Sequence, residues 1–385
     1  MAIPYGKQEI TKEDISAIVE TLQSDFLTQG PKIKEFEKKF AQYVNSRFAV
    51  AVSNGTAALH CSTLALEVNK TSNVLCTPNS FVSTSNAVLF CGGKITFSDI
   101  NKDNYCLDLD LLESKIKASP KGTYTGIIVV DFAGYPVNTQ KLGEIAKEHN
   151  LWILEDACHA PGASYINSEG NEIIAGDNTY SDITIFSFHP VKHIACGEGG
   201  MITTNSEEIY KKLLLARSHG VTKENMTTLS ESDGDWYYEM QDLGYNYRIS
   251  DIQSALGISQ LSRARKGILN RQRVAQFYNE SLAELPIELP KVEKNKNHAY
   301  HLYVIKTSKR KALYNFLRSK EIYTQIHYIP ICNQPFYRKS SLVTQEEFPI
   351  ANEYYSKCLS LPMYPSIKEE ELIKVVDSIK EFFQK

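Results

Sequence analysis

Between about Arg47 and Thr204 the chain alternates short apolar runs with helical or polar stretches. That is the pattern of an α/β layer built on a mainly parallel sheet. Strands are expected at Phe48 to Val52, Asn73 to Thr77, Lys94 to Phe97, Gly126 to Val130, Trp152 to Glu155 and Ile183 to Phe188. Several are apolar without alternation, as in strands covered on both faces, so ligands should gather at their C-terminal ends. Ahead of them Ile33, Phe36, Phe40 and Tyr43 recur at helical spacing among lysines and glutamates, which predicts an amphipathic helix laid over the sheet. From Asp251 a long helical stretch runs to about Glu284, and the strand-like run Tyr300 to Ile305 opens a smaller α+β unit. Leu372, Val375, Val376, Ile379, Phe382 and Phe383 mark a closing amphipathic helix.

At 385 residues the chain has room for two or three domains, taking about 150 residues for each. Hydrophobic residues at 42% and charged residues at 23% give the balance of a soluble globular protein. A formal charge of −3 supplies no broad basic field, so neither nucleic acid nor an anionic membrane is an expected partner. The N-terminus carries no basic segment followed by an apolar run, and no stretch reaches the length of a membrane span. The eight cysteines are scattered without a C-x-x-C pair. Reduced thiols in the cytoplasm are expected, and no metal site.

Chemistry concentrates where strands end. In Phe186-Ser187-Phe188-His189-Pro190-Val191-Lys192 a strand ends in a serine and a lysine follows five residues later. A lysine in a polar loop is ordinarily just solvated. One held beside apolar or electropositive groups becomes a nucleophilic amine, and a nearby serine can hold a cofactor phosphate. Such a lysine needs an acid against a pyridine nitrogen; Asp156, at the end of the apolar run Leu151 to Leu154, suits that role as well as it suits a turn or helix cap. Ser53-Asn54-Gly55-Thr56 leads from a strand into an apolar helical run. There glycine permits close backbone approach and the helix N-terminus offers N–H groups to a phosphate.

These segments resemble the DegT/DnrJ/EryC1/StrS sugar aminotransferases. The likeness is carried also by Leu27-Thr28-Gln29-Gly30-Pro31, Thr77-Pro78-Asn79-Ser80-Phe81-Val82, Glu155-Asp156-Ala157-Cys158-His159-Ala160, Gly197-Glu198-Gly199-Gly200 and Gly244-Tyr245-Asn246-Tyr247-Arg248, spread over essentially the whole chain. The resemblance implies fold type I of the pyridoxal-phosphate enzymes. A large domain with a mainly parallel sheet would span residues 1–250, and a smaller C-terminal α+β domain residues 251–385. It implies Lys192 as the residue that carries pyridoxal 5'-phosphate and moves the substrate proton, and Asp156 as partner of the pyridine nitrogen. Gly55, Thr56 and Ser187 would hold the phosphate, Phe81 would stack on the cofactor ring unless it merely packs in the core, and His159 would lie by the phenolic oxygen. Asn246 would reach the phosphate of a neighbouring subunit, making a homodimer with shared sites; the alternative is that Asn246 caps a helix near Ser250.

Within the family the chain is similar to the group that aminates C4 of UDP-4-keto-6-deoxy-N-acetyl-β-L-altrosamine with glutamate as donor, in pseudaminic acid biosynthesis. That likeness rests on Asp131-Phe132-Ala133-Gly134, on His159 and on His189-Pro190-Val191-Lys192. It implies that Tyr5, Asp25, Phe26, Leu27, Thr28, Gln325, Ile326, His327 and Tyr328 help to bind the nucleotide sugar. Pro161 and His193 depart from that group's usual residues. Alternatives are an aminotransferase acting on another UDP- or dTDP-linked keto-sugar, and a non-catalytic cofactor-binding sensor. A sugar dehydratase would carry histidine in place of Lys192.

Overall fold

The computed structural model describes residues 2–224, 226–228 and 234–384. Its centre is a seven-stranded sheet in the order Phe48–Val52, Gly200–Thr204, Ile183–Ser187, Trp152–Asp156, Gly126–Val130, Asn73–Cys76, Lys94–Phe97. The last five run parallel, and Gly200–Thr204 is antiparallel to both of its neighbours. All six expected strands are present, each within a residue of its expected limits. The seventh, Gly200–Thr204, had no apolar run to announce it. It is buried throughout because its threonine hydroxyls find carbonyls: Thr203 Oγ1 donates to Gly176 O at 3.0 Å and Thr204 Oγ1 to Asp182 O at 2.7 Å. Buried hydroxyls are tolerated when paired in this way.

The expected amphipathic helix is Pro31–Val44, whose Phe36 and Phe40 are fully buried against Phe188 and Phe186, with ring centroids 5.2 and 4.8 Å apart. Glu37 on the same helix is buried and held by Arg217 Nη1 at 2.5 Å and Ala51 N–H at 2.9 Å. The long stretch after Asp251 is two helices, Asp251–Ser262 and Ala264–Leu282. They break at Arg263, where no proline or glycine gives warning, and its guanidinium leaves to pair with buried Asp14 at 2.5 Å.

A second apolar cluster gathers Ile3, Tyr278, Leu282, Tyr303, Ile305, Leu313, Leu359, Val375 and Ile379. It is built on the antiparallel pair Tyr303–Lys306 and Cys358–Leu361 and on the helix Glu369–Gln384. The strand expected from Tyr300 starts three residues later. Tyr300 stands at φ 47° and its carbonyl, with those of His301 and Met363, accepts from the fully buried Arg271 Nη1 at 3.2, 3.3 and 3.0 Å. The resulting turn lies against the end of the sheet, since a Cβ on Gly134 would come within 2.9 Å of Tyr300 N and 2.8 Å of His159 O. Among the described residues no helix is long and apolar enough to cross a membrane, and no group of His, Cys, Asp or Glu could hold a metal ion.

Candidate active site

The C-terminal ends of the strands converge on one rim. After Phe48–Val52, Asn54 caps the helix Gly55–Ala65 by accepting from Ala57 N at 2.8 Å. The first two N–H groups, of Gly55 and Thr56, have no acceptor within that helix. A Cβ on Gly55 would lie 3.0 Å from Ser187 Cβ and 3.3 Å from its Oγ, and one on Gly200 would lie 2.6 Å from Asn54 O. Two glycines therefore let the helix N-terminus close against the end of Ile183–Ser187. Exposed Thr56 and half-buried Ser187 add hydroxyls to a small cradle with N–H groups at its base, the chemistry of a phosphate site.

Two strands away from Gly200–Thr204, Trp152–Asp156 ends in a carboxylate that is 4% exposed. Both of its oxygens are fixed: Oδ2 accepts from Thr84 Oγ1 at 2.8 Å and Oδ1 from Cys158 N at 3.2 Å. Thr84 is held in turn by Ser80 Oγ at 2.8 Å. Lys192 sits in the turn after Ile183–Ser187, its N–H bonded to His189 O at 2.9 Å. Burial lowers its amine from the ordinary lysine range, while Asp156 and the Cys158 thiol beside it pull the other way. A lysine tuned downward by desolvation is the kind that acts as nucleophile and proton carrier near neutral pH.

Histidines surround that amine. His301 Nε2 is 3.5 Å from Lys192 Nζ, and the His301 ring lies 4.3 Å from that of His159. His159 Nδ1 accepts from Ala133 N–H at 3.3 Å, which places the ring proton on Nε2, facing the Tyr328 hydroxyl at 3.3 Å. Burial, reinforced by Lys192, holds His159 and His301 well below the usual histidine range and His327 at about 3. Burial does the same for His193, whose Nε2 donates to Ala299 O at 2.9 Å. Burial therefore favours the neutral form of all four rings.

A model of the DegT/DnrJ/EryC1/StrS aminotransferase family matches residues 8–380. The chain belongs to this family. It is a sugar aminotransferase and depends on pyridoxal phosphate. The Bacillus subtilis spore coat polysaccharide biosynthesis protein SpsC is 34% identical to it, over 98% of this chain and 96% of that one. UDP-4-amino-4,6-dideoxy-N-acetyl-β-L-altrosamine transaminase of Campylobacter jejuni is 32% identical over 100% of this chain and 98% of its own length. The solved structure of Helicobacter pylori PseC, an aminotransferase involved in the biosynthesis of pseudoaminic acid, superposes with a TM-score of 0.89. It covers 100% of both chains at 28% identity.

The aminotransferase fold brings most of the expected site residues together. Lys192, Asp156 and His159 share one rim, as do Gly55, Thr56 and Ser187. Phe81 is 58% exposed, with its ring 6.4 Å from that of Tyr328, so it is not packed in the core. Tyr5 stands 5.5 Å from His327, and the neighbouring Gly6 backs onto Val191, next to Lys192. Gln325 is tied to Ser360 through both backbone groups, Ile326 is partly buried, and His327 Nδ1 lies 2.9 Å from Ser360 Oγ.

Asp25, Phe26, Leu27 and Thr28 fall apart from this group, on the exposed approach to helix Asp251–Ser262. There Leu27 O accepts from Asp251 N at 3.0 Å and Thr28 bridges Ser250. Asn246 is exposed and pairs with Ser218, and the adjoining Tyr247 O accepts from Ser53 N at 2.7 Å, beside the cradle. Ser250, not Asn246, caps that helix, in a capping box with Gln253. Sequence reasoning passed over Thr84, His301 and Arg271. The only signal was the density of ring residues in His298-Ala299-Tyr300-His301, which carries no spacing that identifies a site.

Proposed function

We propose that this aminotransferase moves the amino group of L-glutamate to C4 of a UDP-linked 4-keto-6-deoxy sugar, UDP-4-keto-6-deoxy-N-acetyl-β-L-altrosamine, in pseudaminic acid biosynthesis. The observation that carries the reaction is the Lys192 amine, lowered by burial beside an Asp156 carboxylate fixed at both oxygens. The choice of sugar is supported by full-length similarity to the Campylobacter jejuni transaminase and to PseC.

The bound cofactor supplies an electron sink for the carbon that loses its proton. Asp156 would keep the pyridine nitrogen protonated, and Gly55, Thr56 and Ser187 would seat the phosphate. The fit to that group is the close approach of Gly55 to Ser187, which a Cβ would fill. Lys192 would take the proton from the donor carbon and return it at the acceptor carbon. His159, neutral with its proton on Nε2, offers a donor to an oxygen near Lys192 without adding charge. Phe81, exposed on the rim, would cover the ring. Tyr5 and residues 325–328 would line the sugar side, with residues 25–28 further out.

The decisive experiment gives the purified enzyme glutamate and a panel of UDP-, dTDP- and GDP-linked 4-keto-6-deoxy sugars, with amino-sugar formation read by mass spectrometry. Preference for the UDP-β-L-altrosamine precursor is expected; amination of a different member alone overturns the assignment of the sugar. Exposed Asn246 next to the cradle motivates a homodimer with shared sites. Refolded mixtures of Lys192→Ala and Asn246→Ala chains should recover activity in heterodimers, and no recovery removes that role. Eight free thiols fit the reducing cytoplasm.

A further inference from the structure

The described surroundings of Lys192 Nζ comprise Asp156, Cys158, His159, His193, His301, His327 and Arg271. The hydrogen-bond contact made by the amine itself is with His301 Nε2 at 3.5 Å, at the long end of the range. The backbone that carries this ring is tied down and the ring is packed between neighbours. Its backbone carbonyl is held by Arg271, and Leu302 N–H bonds to Ala133 O at 3.2 Å. One ring face lies on His159, and His193 stands 5.8 Å off. The far nitrogen, Nδ1, is buried and has no hydrogen-bond partner among the described residues.

That orphan nitrogen decides the tautomer. A proton on Nδ1 would leave a buried N–H donor unmet, the costlier kind of orphan, whereas a bare lone pair there is more often tolerated. The proton therefore sits on Nε2 and points at Lys192. An N–H facing the amine can bond only to the lone pair of the neutral form, because an ammonium has no acceptor.

We propose that His301 is a positioning residue that donates from Nε2 to the neutral amine of Lys192, keeping that amine unprotonated and fixed in the site. The two properties Lys192 needs then have separate sources. Burial raises the cost of the charged form, and His301 both stabilises the uncharged form and sets its direction. The inference rests on Lys192 being the reactive lysine, so that point is checked separately. Borohydride reduction of the holoenzyme followed by peptide mapping should place the cofactor on Lys192; its appearance on another lysine overturns the reading of the site.

The hydrogen bond is tested on the cofactor-free full chain by the rate at which cyanate carbamoylates Lys192 as pH is raised, read by peptide mass spectrometry. Cyanate reacts with the neutral amine alone, so the profile reports its fraction. His301→Gln keeps an N–H donor at the reach of Nε2, whereas His301→Asn is equally polar but too short. The Asn variant should carbamoylate Lys192 about tenfold more slowly at a pH below the amine's transition, the effect of an upward move of about one pH unit. The Gln variant should follow wild type. Circular dichroism confirms that both fold, and His301→Ser replaces the Asn variant if it does not. Profiles that coincide for the long and short variants, or a short variant that moves to lower pH, overturn the proposal.

Discussion

Gly55→Ala tests the cradle with the smallest possible change. The added methyl carbon would stand 3.0 Å from Ser187 Cβ, 3.3 Å from Ser187 Oγ and 3.6 Å from Cys158 Sγ. Carbon atoms pack at about 3.5 Å or beyond, so the two walls must part by about 0.5 Å or Ser187 must turn aside. Overpacking of this kind costs about 1–3 kcal/mol. Half-buried Ser187 has room to turn while the cradle is free, so the cost falls on the state in which its hydroxyl must face a phosphate. If the whole cost appears in binding, pyridoxal phosphate should bind about 5- to 150-fold more weakly. Gly267→Ala is the control, since a Cβ there meets nothing within 4 Å and the residue lies in helix Ala264–Leu282. It should stabilise the chain by about 0.5–1 kcal/mol and leave cofactor affinity alone. Fluorescence titration of the cofactor-free enzyme measures both variants. A Gly55→Ala chain that folds normally and binds with wild-type affinity refutes the cradle.

Lys192→Ala should abolish turnover, with cofactor still retained noncovalently; near-normal turnover without added amine would falsify the role of Lys192. Asp156→Asn should slow each half-reaction about hundredfold or more while the melting temperature stays close to wild type, since general acid–base and electronic support of this kind is worth about 10²–10⁴; equal single-turnover rates remove Asp156 from the mechanism. Glu155 and Asp131 are buried neighbours at the ends of adjacent strands; burial raises both, with the charge of Glu155 adding to it at Asp131 and that of Asp177 adding to it at Glu155. Raised acids bind more protons folded than unfolded, so their contribution to stability is full below the ordinary carboxylate range and is lost as pH rises through the folded value. Glu155→Gln should therefore flatten the fall in melting temperature between about pH 5 and about pH 8; an unchanged slope shows that the pair does not titrate there.

The parts of this fold that could be read in advance are those in which burial and local periodicity agree. Phe48–Val52 and Gly126–Val130 are apolar over their whole length and buried apart from half-buried Phe48, and Ile33, Phe36 and Phe40 all face inward on one helix. Gly200–Thr204 escaped because its burial depends on hydroxyls whose acceptors, Gly176 and Asp182, lie in a different stretch of chain. The break at Arg263 escaped for a related reason: its cause is Asp14, far away in sequence. In each case the deciding partner is tertiary, and no local window contains it.

The site divides along the same line. Lys192, Asp156, Ser187 and Gly55 are legible because each must sit at a strand end or helix start, positions that a sequence marks. Thr84 and His301 act on those residues from elsewhere, Thr84 from the start of a short helix and His301 from a turn that Arg271 ties down from the interior of another. The physical consequence is an uneven charge distribution. Among the described residues, acidic Asp156 and buried basic Arg271 act on Lys192 from close by, while burial pushes the four histidines around it towards their neutral forms. Neutral rings can orient an amine or a substrate oxygen without adding positive charge that would depress the amine's basicity further. A site that must pass one proton back and forth at a single nitrogen is thus surrounded by groups that hydrogen-bond but do not compete for it.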